Sequence, residues 1–177
     1  MKIAILAWGS LIERPEILEL ASDWQSGGPK LPVEFSRRSS RHRLTLVIDH
    51  TNGRLVPTQV AISAFTTQDE ASENLRKREN TSMENIGFST RFGKSYRSID
   101  AIDDWLVSSD FDVVIWTALK SNFREILGES FSVDRGLKYL RDLPSDSQQT
   151  ALDYFRIAPK HVMTPLRERL IAEGLLQ

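Results

Sequence analysis

The chain has 177 residues, no cysteine, and 23 Lys and Arg against 24 Asp and Glu. Disulfides, thiolate nucleophiles and cysteine metal sites are therefore excluded, and a net charge of −1 supplies no bulk attraction to nucleic acid or to an anionic membrane. A chain of this length buries about 70% of its unfolded surface in one core, so a single domain spanning residues 1–177 is expected.

The first apolar run, Ile3 to Ala7, leads into Trp8-Gly9-Ser10-Leu11 and reads as a buried strand that ends in a turn. Gly9 permits a positive φ or a close approach of backbone to ligand, and consecutive amides of such a turn can face an anion. The run is broken by Gly9, Ser10 and Glu13, unlike a signal peptide or a membrane span, and a cytoplasmic protein is expected. Pro15 predicts a short helix to about Ala21, and Gly27-Gly28-Pro29 predicts a sharp break after it.

Period-two alternation predicts strands at Val33–Arg38 and Leu44–Asp49, and Asn52-Gly53 predicts a hairpin into a third strand, Val56–Phe65. These would form an antiparallel meander. Thr67-Gln68-Asp69-Glu70 is a capping box opening a helix over about Gln68–Glu79, whose inward line passes through Ala71, Leu75 and Glu79. Asn80–Arg97 lacks a sustained period and reads as a long loop or an irregular hairpin. Ile99, Ile102 and Leu106 mark another helix, and Val113-Val114-Ile115-Trp116 is the strongest strand signal and is expected to be central. Helices at about Val133–Leu143, Asp146–Ile157 and Pro165–Glu173 complete an α+β chain with roughly five strands.

Glu79 stands out as a candidate general acid/base. A carboxylate on the buried side of a helix is desolvated, which raises its pKa toward the range a base needs. A structural ion pair with an arginine is the competing reading, and Arg76, Lys77 and Arg78 lie beside it. Arg37 shares a strand face with Val33 and Phe35 and is the member of the Arg37–Arg43 cluster suited to an inward, carboxylate-binding role; the cluster as a whole also reads as a solvated hairpin tip. It lacks interleaved aromatics, so no nucleic-acid partner is expected. His42, His50 and His161 show no metal-ligand spacing, and Ala-Trp-Gly-Ser-Leu is not a nucleophile elbow.

Trp8-Gly9-Ser10-Leu11 followed by Arg78-Glu79 at a helix end resembles the γ-glutamylcyclotransferase-like superfamily, closest to its ChaC-type branch, which carries Tyr-Gly-Ser-Leu and Arg-Glu in this order. Weaker similarity lies at Phe35-Ser36-Arg37 and over Tyr154–Leu166. The resemblance implies a small mixed β-barrel with flanking helices and a pocket for a γ-glutamyl group. It implies that Gly9, Ser10 and Leu11 bind the substrate's α-carboxylate end, that Trp8 lines the pocket, and that Glu79 is the acid/base. The implied reaction releases 5-oxoproline from glutathione, a γ-glutamyl amino acid or a γ-glutamyl amine, with no cofactor and no metal. Trp8 stands where that family has tyrosine, which removes a hydroxyl and makes the pocket more apolar. A non-catalytic ligand-binding or interaction protein on the same fold is the alternative.

Overall fold

A computed structural model describes residues 1–176. Among the described residues there are seven strands: β1 (Ile3–Ala7), β2 (Gln25–Arg38), β3 (Leu44–Ile48), β4 (Arg54–Ile62), β5 (Ile86–Thr90), β6 (Ser95–Tyr96) and β7 (Val113–Thr117). The helices are α1 (Ser10–Glu13), α2 (Gln68–Glu79), α3 (Asp100–Ser108), α4 (Phe123–Leu127), α5 (Val133–Arg141), α6 (Ser145–Ile157) and α7 (Pro165–Ala172). The strands are hydrogen-bonded in the order β3-β2-β4-β1-β7-β5-β6. Parallel pairing of β1 with β7, and antiparallel pairing of β1 with β4 and β5 with β7, make the sheet mixed. The class is α+β as expected. The sheet is not closed, however, because β3 and β6 are its two edges, and the expected barrel closure is absent. Among the described residues no helix is long and apolar enough to cross a membrane.

The chain divides into two compact units, Met1–Lys30 with Pro57–Leu119, and Leu31–Val56 with Lys120 onward. In the first unit, Ile3, Ile5 and Ala7 of β1, Ala71 and Leu75 of α2, Ile86 of β5 and Val113 and Ile115 of β7 form one apolar layer. The i, i+4 stripe of α2 and the alternate residues of three strands meet there, as their periods require. Thr67 caps α2 by accepting from the Glu70 amide, and Asn80 closes it in the left-handed conformation at φ 48°.

Several expectations change here. Residues 15–21 form no helix; the one helical turn is α1, just before them. Gly27-Gly28-Pro29 lies inside β2 rather than breaking it. Gly28 suits the strand because a Cβ there would come within 2.3 Å of the Thr58 hydroxyl, itself bonded to the Pro29 carbonyl at 2.7 Å. Of the two readings of residues 80–97 the hairpin holds and the loop does not: β5 and β6 pair antiparallel, and β5 is also fully paired with β7. Gly87 hides that strand in the sequence, and its position explains why: it faces Trp116 across the ladder, where a Cβ would approach the indole to 2.4 Å. Gly87→Ala is expected to destabilise the protein by about 2–3 kcal/mol through overpacking a fully buried ring, read by urea denaturation.

The second unit packs Phe35 and Leu44 against α4–α7, with Phe35 and Phe155 rings 4.0 Å apart and Phe123 edge-on to Phe131. The meander is rearranged, since β4 neighbours β2 and not β3. Asn52-Gly53 is consequently no two-residue hairpin. Asp49 organises that turn instead, its carboxylate accepting from the Thr51 and Asn52 amides and its carbonyl from the Gly53 amide. A bulge between Glu34 and Arg37 interrupts the β2–β3 register, so the Val33–Phe35 alternation does not carry through to Arg37.

Candidate functional site

The end of β1 and the end of α2 define the candidate site in the first unit. Trp8 is buried at 6% exposure and Leu11 is buried with the β1 layer. Gly9 precedes α1 with φ −139°, so it does not use the left-handed conformation that its identity allowed. The turn is drawn tight by Ile12 N donating to Gly9 O at 3.1 Å and Arg14 N to Ser10 O at 2.9 Å.

Glu79 falls on the line of Ala71 and Leu75, one turn beyond the apolar layer, and its side chain is 18% exposed. Arg78 is adjacent in sequence, yet its guanidinium reaches the same place: Nη1 donates to Glu79 Oε1 at 2.8 Å, and Nη2 to Ser10 O at 3.4 Å and to Arg14 O. One side chain thus ties the carboxylate to the turn. Burial pushes the Glu79 pKa above its ordinary value; the charge and hydrogen bond of Arg78 oppose that rise, and the charge of Glu16 adds to it. Glu16 is itself in the left-handed region, at φ 54°. The arrangement is a desolvated carboxylate held in place, able to accept a proton without being fully neutralised by its partner.

The sequence points to Glu79 and to the turn, and offers Arg78 as an ion-pair neighbour and as part of the Arg78-Glu79 motif, but not as a link between them. Its two carbonyl acceptors lie more than sixty residues away in the chain, and no local pattern announces them. Arg37 belongs to the second unit, where Nη1 donates to the Lys120 carbonyl at 2.8 Å and burial lowers its pKa against the charge of Glu125. The structure therefore gathers Trp8, Gly9, Ser10, Leu11 and Glu79 in one unit and leaves Arg37 in the other.

A cavity of about 490 Å³ in the first unit is lined by Gln68, Asp69 and Ser72 from the start of α2 and by Phe88 and Tyr96 from β5 and β6. Glu79 does not line it; seven residues of helix, about 10 Å of rise, separate Ser72 from Glu79. Among the described residues no three His, Asp or Glu side chains come together as a metal site. Compared with protein-family models, with curated proteins and with solved structures, the chain matches none.

Arg78→Ala is expected to lower stability by about 2 kcal/mol, since three acceptor oxygens lose their donor and the largely buried Glu79 carboxylate is left without its ion-pair partner. With its cationic neighbour gone the Glu79 pKa moves further up. Urea denaturation followed at several pH values reads both effects.

Proposed function

We propose that the protein is a cytoplasmic γ-glutamyl cyclotransferase-like enzyme, with Glu79 as general acid/base and the Gly9-Ser10-Leu11 turn as the cradle for the γ-glutamyl group. The observation that carries this reading is the Arg78 bridge, which holds a desolvated Glu79 beside the turn. Glu79 takes a proton from the substrate's α-ammonium. The freed amine attacks the γ-carbonyl carbon, a ring C–N bond forms, and the developing oxyanion is met by the amides of the turn. Glu79 gives that proton to the leaving amine as the ring expels it, the ring nitrogen sheds its second proton through Glu79 to the released amine, which departs as an ammonium, and 5-oxoproline is released.

Most of the acceleration in such a reaction comes from holding the folded-back conformer, so a protein needs few groups to catalyse it. Buried Trp8, in place of the tyrosine of the resembled pattern, favours a leaving group with an apolar body over one recognised by a phenol. The test is 5-oxoproline release from glutathione, γ-glutamyl amino acids and γ-glutamyl amines. Turnover of one of these supports the enzyme; saturable binding without turnover supports a non-catalytic ligand-binding protein with the same site.

A further inference from the structure

The tip of the β2–β3 hairpin, in the second unit, carries Arg37, Arg38, Arg41, His42 and Arg43 within seven residues. Five other arginines of that unit pair with carboxylates: Arg54 with Glu168, Arg135 with Glu129, Arg141 and Arg169 with Glu173, and Arg156 with Asp153. Among the described residues no ion pair takes up a cation of the hairpin tip, and only the charge of Glu125 acts on Arg37. The second unit holds fourteen Lys and Arg against ten Asp and Glu, and the first holds nine against fourteen. A near-neutral total thus hides a segregated positive charge.

Aromatic side chains and backbone hold these cations in place of acids. Arg38 Nε donates to the Tyr139 hydroxyl at 3.2 Å, and its Nη2 contacts His42 Nδ1 at 2.8 Å. The Tyr139 hydroxyl donates in turn to the His42 carbonyl at 2.8 Å. The Arg43 guanidinium lies 5.0 Å over the Tyr154 ring, which is edge-on to buried Phe35. The turn is fixed by Ser39 N to Arg43 O at 2.8 Å and His42 N to Ser39 O at 3.1 Å, with His42 at φ 59°. The aromatics missing from the hairpin's own sequence are supplied by α5 and α6.

We propose that this hairpin binds the phosphodiester backbone of a single-stranded nucleic acid, with Arg38, Arg41 and Arg43 as the phosphate contacts. The cations follow the chain from the end of β2 through the turn to Arg43, just before β3, a row of positions that fits a string of phosphates better than one isolated anion. Guanidinium groups grip phosphate through paired N–H donors and present planes on which unpaired bases stack. Residues 38–43 include no apolar side chain, so the tip has nothing to insert into a bilayer. This inference is independent of the γ-glutamyl reading.

The experiment is fluorescence polarisation of a labelled single-stranded RNA, and of the matching DNA, with the full chain. Three phosphate contacts give a salt slope of about −2, so raising salt from about 50 to about 200 mM weakens binding about 20-fold. Arg41 is exposed in the turn, and Arg41→Glu is expected to weaken binding at least ~10-fold without unfolding the chain. Lys94→Glu, an exposed charge reversal in the first unit, leaves binding unchanged. The proposal is overturned by no binding at the lower salt, by equal losses in the two variants while both keep the wild-type circular dichroism, or by phosphatidylserine vesicles competing more strongly than the oligonucleotide.

Discussion

Glu79→Gln is expected to cut 5-oxoproline release by about 10²- to 10⁴-fold, the worth of a positioned acid/base, while the protein stays folded. The fold survives because glutamine keeps an oxygen that accepts from Arg78, and Arg78 keeps the carbonyls of Ser10 and Arg14. The loss in stability is accordingly about 1 kcal/mol, well short of the roughly 3 to 5 kcal/mol that follows when a buried cation loses its sole partner. The stability loss is small whichever role Glu79 plays, so the loss of turnover is what separates a catalytic Glu79 from a purely structural one. Wild-type kcat/KM is expected to rise with pH through a limb above 4.5, because burial raises the Glu79 pKa and the base must be ionised to act.

The second large effect concerns Glu34 in the other unit. It is fully buried on β2, and its carboxylate accepts from the Phe35 amide at 2.6 Å and from the Leu166 amide, in the first turn of α7, at 3.0 Å. The Thr164 hydroxyl also bonds to it. Burial outweighs these donors and, with the charge of Asp49 adding to the rise, pushes its pKa from 4.5 up to about 7. The folded state then holds a proton that the unfolded state has released between pH 4.5 and about 7. Stability from this group is greatest below pH 4.5 and is lost as pH rises through about 7, a loss of about 3 kcal/mol. Glu34→Gln removes that dependence. Urea denaturation of both proteins across this range is expected to show the wild type losing about 3 kcal/mol relative to the variant, whereas a constant difference contradicts the assignment.

Local rules carried the reading furthest where one residue fixes one contact. The Thr67–Glu70 capping box located α2, Thr164 and Pro165 located α7, and the β-branched run at Val113 marked a strand that lies between β1 and β5. The failures share a cause in contacts made far along the chain. Gly87 looks like a loop residue until it meets Trp116, Gly28 looks like a break until Thr58 closes on it, and Asn52-Gly53 looks like a hairpin until Asp49 takes over its amides. The same holds for the site. The period of α2 placed Glu79 on the buried line, but the reach of Arg78 to the Ser10 turn is a tertiary fact without a sequence pattern. Arg37 was read inward by alternation, which the bulge in β2 interrupts.

What defines a γ-glutamyl cyclotransferase is that the γ-glutamyl bond is broken by the substrate's own amine. The most direct measurement is mass spectrometry of the products formed from the γ-glutamyl panel in heavy-oxygen water, with wild type and Glu79→Gln side by side. The expected product is 5-oxoproline without heavy oxygen, released in equal amount with the leaving amine by the wild type and lost in the variant. Glutamate carrying heavy oxygen would show attack by water instead, and no product from a folded wild type would leave Glu79 as the anchor of a binding site rather than its base.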